Sequence, residues 1–125
     1  MNENEIAKIV VDASLKVHKA LGPGLLESVY EEVLTYELRN RGMKVERQKP
    51  LPVYYENIKM EVGFRIDLLV NDKVIVELKS VEEIATIHFK VTTNYLELSK
   101  KKLALLINFN VQLIKNGIRR IVNNL

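Results

Sequence analysis

Gly63 to Ser80 reads GFRIDLLVNDKVIVELKS, and two alternations run through it. Phe64, Ile66 and Leu68 alternate with Arg65, Asp67 and Leu69, while Val74, Val76 and Leu78 alternate with Ile75, Glu77 and Lys79. Period two is the signal of a half-buried strand, and Asn71-Asp72-Lys73 between the runs carries turn chemistry. The segment is therefore expected to form a β-hairpin. Loop parity decides what the hairpin does with its charges. With Asn71, Asp72 and Lys73 as the loop, Val70 faces Val74, Asp67 faces Glu77 and Arg65 faces Lys79, the charged pairs sharing one face with Leu69 and Ile75. Two carboxylates would then stand roughly 5 Å apart at their Cβ atoms. A loop one residue shorter slips the pairing and sends Glu77 to the other face, so a site built on this pair requires an odd loop.

Around the hairpin, 125 residues with 47% hydrophobic content suit one globular domain over residues 1–125, with a single core. There is no cysteine, which excludes disulfides, zinc–thiolate sites, iron–sulfur clusters and thiol nucleophiles. No basic-then-apolar leader opens the sequence and no apolar run approaches the ~20 residues of a bilayer span, so a cytoplasmic protein without membrane association is expected. The net charge of +3 conceals an asymmetry. From Phe89 to Leu125 there are seven Lys/Arg against the one acid Glu97, whereas the first 88 residues carry −3. Lys100, Lys101, Lys102, Arg119 and Arg120 in that basic part are candidates for gripping a nucleic-acid backbone; the plainer account is a solvated loop and a surface strand.

Ile6, Ile9, Val10, Ala13, Val17, Ala20 and Leu21 recur at helical spacing and predict an amphipathic helix ending near Gly22-Pro23, with His18 at its surface or boundary. A second helix is predicted from Gly24 or Leu25 to about Arg41, stopped by Gly42. Its apolar stripe is Leu26, Val29, Tyr30, Val33, Leu34 and Leu38, and its wet side Glu31, Glu32, Thr35 and Arg39. Glu27 breaks this division, because it stands seven and eleven residues before Leu34 and Leu38 and so lies along the edge of the buried face. A carboxylate there needs a cation or a donor, although the dipole of the first turn also favours it by roughly 0.3–1 kcal/mol.

Lys44 to Lys49 reads as a strand, Pro50 and Pro52 mark either a sheet edge or a break before Val53-Tyr54-Tyr55, and Glu56-Asn57 reads as a turn. Ile58 through Val70 then reads as one long strand bent at Gly63. A helix starting at Ser80 or Thr86 carries Ile84, His88, Val91, Tyr95 and Leu98 on one face. Leu103 to Ile107 is apolar throughout, as a strand buried on both faces should be, and Ile118 to Val122 adds a last strand. The order predicts an α/β protein of the α+β kind, with helices packed against a central mixed sheet.

Glu27, Asp67 and Glu77 together would make an oxygen-rich pocket for Mg²⁺ or Mn²⁺, hard ions that prefer carboxylates and water. Lys79, on the face of Glu77, would lie beside the ion, where it can screen phosphate charge and help place or deprotonate a water. Without an ion the strand acids repel, and one of them should hold its proton more tightly. The plainer account is a surface grid of Arg65, Asp67, Glu77 and Lys79 worth ~0–1 kcal/mol per pair, but Leu69 and Ile75 on the same face argue against a simply solvated surface.

Asp67 followed by Glu77-Leu78-Lys79 resembles the D…(D/E)xK signature of the PD-(D/E)xK nuclease superfamily, and Gly24-Leu25-Leu26-Glu27-Ser28-Val29-Tyr30 resembles the motif of its small GxxExxY family. The likeness takes in VHKALGPGLLE, IVELKS, Tyr95-Leu96 and Leu105-Leu106-Ile107-Asn108-Phe109, nearly the whole chain. It implies a restriction-endonuclease-like core in which Glu27, Asp67, Glu77 and the carbonyl of Leu78 ligate metal and Lys79 is the catalytic lysine. Tyr30 and Tyr95 would support the cleft. One position departs from the pattern: the glutamine expected four residues before the helix tyrosine is Val91. Lys90 points about 100° away; His88, one turn earlier, is the candidate to fill the gap, and the plainer account of it is a half-buried helix histidine. The resulting expectation is a Mg²⁺/Mn²⁺-dependent enzyme that hydrolyses phosphodiester bonds in DNA and contacts mainly phosphates. The alternatives are a nuclease-fold module that binds nucleic acid or a protein without turnover, and a homo-oligomer formed through an edge strand.

Overall fold

Val74–Lys79 and Leu103–Asn108 carry almost no polar side chains that could be left in water, and they occupy the centre of the sheet. The computed structural model describes residues 1–125. Two helices come first, α1 (Glu3–Leu21) and α2 (Glu27–Asn40), followed by β1 (Val45–Leu51), β2 (Tyr54–Tyr55), β3 (Ile58–Lys59), β4 (Phe64–Val70) and β5 (Val74–Lys79). Then come α3 (Thr86–Ser99), β6 (Leu103–Asn108), a 3₁₀ turn at Ile114–Gly117 and β7 (Ile118–Val122). The five-stranded sheet runs β1-β4-β5-β6-β7, and β2 and β3 form a separate ribbon. Only β5 and β6 pair in parallel, as the crossover through α3 between them permits. The mixed sheet with packed helices is the α+β arrangement expected, and β1 is an edge strand, where Pro50 is tolerated.

The two faces of the sheet have different covers. Leu68, Val70, Val74, Val76, Leu78, Leu103, Leu105 and Ile107 join the buried residues of α1 and α2 in one apolar cluster. Ile66, Leu69, Ile75 and Ala104 join Tyr95 and Leu96 of α3 in a smaller one. Membership of these clusters exposes an irregularity in β4. Leu69 faces α3 while Leu68 and Val70 face α1 and α2, as alternation requires, yet Ile66 is back on the α3 side. The chain therefore turns over at Asp67. Its neighbour across the β1–β4 pair is Gln48, whose φ of +50° is left-handed. Pairing resumes in the same register on either side, from Arg47↔Leu68 to Lys49↔Ile66.

The odd hairpin loop is present. Val70 pairs with Val74, and Asn71 and Asp72 take left-handed φ values of +50° and +57°, which short polar side chains tolerate. The β4–β5 ladder stops at Leu68↔Val76, however, and the strands part at Asp67 and Glu77.

Several sequence expectations need correction. The strand predicted from Ile58 to Val70 is interrupted: Met60 N–H closes the β2–β3 ribbon on the Val53 carbonyl, and Gly63 passes so close to the Leu51 carbonyl that a side chain would collide. Helix α2 begins at Glu27 rather than at Gly24 or Leu25, because the preceding turn is tied to the Tyr30 hydroxyl. Its buried face is Tyr30, Glu31, Leu34, Thr35 and Leu38, so Leu26, at 73% exposure, leaves the stripe, while Glu31 and Thr35 enter it. In α3, which starts at Thr86, Thr92 and Leu96 are buried and Leu98 is exposed. His18 is buried rather than superficial; its Nε2 lies 2.7 Å from the Val111 carbonyl.

Candidate active site

The site lies where β4 and β5 part, and side chains replace the missing ladder bonds. Asp67 N–H donates to Glu77 Oε1 at 2.9 Å, and Leu78 N–H donates to Asp67 Oδ2 at 2.8 Å. Each acid thus satisfies a backbone donor of the other strand, which fixes both and opens a gap in the sheet. The ladder no longer pairs Asp67 with Glu77, although the two side chains remain close enough for the Asp67 charge to act on Glu77. Asp67 turns toward α2, whereas Glu77 keeps the alternation of Ile75 and faces α3. Glu77 is 5% exposed. Burial first, and the Asp67 charge second, push its carboxyl up to about 8. Burial also raises Asp67, opposed by the Leu78 N–H and reinforced by the charge of Glu31. Lys79 is half-buried, pairs with none of the acids, and its charge lowers both carboxyls.

The acid from the helix arrives through a separate set of ties. Tyr30 is fully buried, stacked 4.5 Å from Phe109; its hydroxyl donates to the Gly22 carbonyl at 2.6 Å and accepts from Leu25 N–H at 3.1 Å. Ser80, the residue after Lys79, donates its hydroxyl to the Leu25 carbonyl at 2.6 Å. The end of β5 is thereby fastened to the start of α2, where Glu27 is the first helical residue. Glu27, Ser28, Glu31, Gln48, Asp67 and Leu78 line a cavity of about 140 Å³. Glu27 stands at its mouth and is exposed, not held along the edge of the buried face as its helical position predicted. Glu77 is not among the lining residues, and no three acidic or histidine side chains stand close enough to share one ion in this conformation. The donors are hard oxygens, which suit Mg²⁺ or Mn²⁺ in kind.

Tyr95 stands over the other side of the gap. It is 9% exposed, packs edge-on against Phe64 at 5.5 Å, and is raised by burial and then by the charges of Glu77 and Asp67. His88 is engaged elsewhere: its Nδ1 accepts the Ala85 N–H at 3.0 Å and caps α3. Val91 packs with the α3-side cluster.

Of the basic candidates, Lys100, Lys101 and Lys102 precede β6, at the sheet end away from Lys79, and Lys101 reaches Asp72 of the hairpin loop at 3.4 Å. That is about 15 Å along the strand from the acids. Arg120 is bonded to Asn4 on the α1 side. Arg119 alone stands level with Glu77, because it pairs with Leu106 and Leu106 pairs with Glu77. Two strand spacings separate them, roughly 10 Å.

Three residues of the cavity wall, Ser28, Glu31 and Gln48, were not anticipated as part of the site. Glu31 is 7% exposed and could have been found, since it precedes Leu34 and Leu38 by three and seven residues, the same reasoning that singled out Glu27. Gln48 had no such signal, because a left-handed glutamine in a strand is set by its surroundings. With this geometry in hand, comparison with known families is decisive: the model described as the PD-(D/E)XK nuclease superfamily matches residues 4–121. The chain belongs to that superfamily. No curated protein and no solved structure was found to match it. Asp67 and Glu77, two of the residues that carry the sequence resemblance, are joined through backbone N–H groups at the gap between β4 and β5. Membership indicates nuclease-like chemistry on a nucleic acid, typically with divalent metal. No helix is long and apolar enough to cross a membrane.

Proposed function

We propose that this chain is a Mg²⁺- or Mn²⁺-dependent nuclease of the GxxExxY kind that hydrolyses phosphodiester bonds in DNA. One observation carries the reading: at the gap between β4 and β5, buried Glu77 and half-buried Asp67 each accept a backbone N–H from the other's strand, and burial holds both carboxyls above the usual carboxylate range. Like charges held that close in a water-poor gap favour binding a cation. Asp67, Glu77, the Leu78 carbonyl and Glu27 are the donors assigned to the ion. A bound divalent ion supplies charge neutralisation at the phosphate and a more acidic water. Lys79 is assigned to the phosphate and the attacking water, where a cation stabilises the charge that builds as the P–O ester bond breaks. Tyr30 and Ser80 hold Glu27 in place, Tyr95 closes the α3 side, and Arg119 contacts the DNA backbone.

Cleavage of fluorescent single- and double-stranded DNA in Mn²⁺, with Lys79→Ala and Glu77→Ala alongside the wild type, tests the assignment. Losses of at least about 100-fold are expected for both variants, the scale typical of removing a charge-stabilising group. Equal cleavage by all three proteins would refute the enzyme reading, and DNA binding that persists in EDTA with no cleavage in any metal would favour a binding module.

A further inference from the structure

Arg47 and Gln48 are neighbours in β1, yet both reach Glu31 on α2. Arg47 donates from Nε and Nη2 to Glu31 Oε2 at 3.2 and 3.0 Å, and Gln48 Nε2 donates to Glu31 Oε1 at 2.5 Å. In a regular strand two successive side chains point to opposite faces, so one of these contacts would be lost. The left-handed φ of +50° at Gln48 removes the alternation and turns both toward the helix. A non-glycine residue held in that region is strained, and such strain persists only where the surroundings enforce it. The same amide nitrogen lies 3.3 Å from Asp67 Oδ1.

We propose that Gln48 is a positioning residue for Asp67: anchored on the Glu31–Arg47 pair, its side-chain amide holds the Asp67 carboxylate oriented into the cavity. The inference rests on the reading of Asp67 as part of a metal-dependent site. The chemistry of the amide suits the task. Its NH₂ group can give one N–H to each of two carboxylates without adding charge between them, which a carboxylate cannot do and which a lysine or arginine would do only by bringing a cation. Glu31 in turn is fixed by the two bonds from Arg47, so the row Arg47–Glu31–Gln48–Asp67 ends on the acid whose other oxygen already takes the Leu78 N–H. Gln48 thereby restrains one oxygen of Asp67 and β5 the other.

Gln48→Gly provides the test, because glycine adopts the left-handed backbone without strain and removes the side chain that carries the amide. The variant is expected to melt at or above the wild-type temperature. In EDTA, amide hydrogen exchange at Leu78 should become about 10-fold faster or more, while exchange at Leu105 and Ile107 in β6 stays unchanged. Mn²⁺ affinity measured by calorimetry should fall by about 10-fold or more, the range for losing a group that orients a ligand. Unchanged Leu78 exchange overturns the proposal even if Mn²⁺ affinity falls, since Gln48 would then be a ligand and not a positioning residue. Unchanged Mn²⁺ affinity in a protein that binds the ion overturns it as well. Faster Leu78 exchange in a protein whose wild type neither binds Mn²⁺ nor cuts DNA upholds the restraint on Asp67 and sinks the nuclease reading instead.

Discussion

Raising the pH of the metal-free protein should destabilise it. In the folded chain the Glu77 carboxyl sits at about 8, against an ordinary value of 4.5. The folded state therefore binds a proton that the unfolded chain has already released, and stability falls as pH rises between those two values. The full contribution is present below the unfolded value and is gone above the folded one. Each pH unit in that window changes stability by up to about 1.4 kcal/mol per proton, so the step from pH 5.5 to 7.5 should remove about 2–3 kcal/mol. Asp67, also raised by burial, acts in the same direction. The carboxylates lowered by surface lysines and arginines, Glu37 and Glu46, act in the opposite direction but titrate below the window. Urea denaturation in EDTA at half-unit pH steps reads the slope. Glu77→Gln keeps an oxygen for the Asp67 N–H and loses the charge, so its stability should be nearly flat over the same range. Mn²⁺ at 100 times its dissociation constant should return about 2.7 kcal/mol to the wild type near pH 7.5, and less to the variant. Stability of the EDTA protein that is constant or rises from pH 5.5 to 7.5, or slopes that are parallel for wild type and Glu77→Gln, would refute the reasoning.

Tyr30→Phe should destabilise the chain by about 1–2 kcal/mol in urea denaturation, because the Gly22 carbonyl and Leu25 N–H both lose their partner while the stacking on Phe109 remains. Its Mn²⁺ affinity should fall too, since the same bonds hold the start of α2 under Glu27. Arg119→Ala should weaken DNA binding and lower the salt slope by about one unit, whereas neutralising Lys100, Lys101 and Lys102 together should leave cleavage within about twofold. Fluorescence-anisotropy titrations at several salt concentrations separate the two; a larger effect from the lysines would place the DNA path at the other end of the sheet.

The periodicities at Gly63–Ser80, Ile6–Leu21 and Leu103–Ile107 determined the element types, the mixed sheet and the odd hairpin loop, because each depends on local spacing and on which side chains avoid water. Asp67, Glu77, Lys79 and Glu27 could be singled out as candidates for the same reason. Sequence could not decide which way Asp67 points. Alternation placed it beside Glu77 on one face, but the backbone turns over opposite Gln48, so Asp67 faces α2 and Glu77 faces α3. That reversal depends on Glu31, Arg47, Gln48 and the Leu78 N–H meeting across three elements, and contacts of that kind exist only once the chain is folded. The basic residues divide in the same way: their number was plain from composition, while strand order put Lys100–Lys102 at the far end of the sheet and left Arg119 level with the acids.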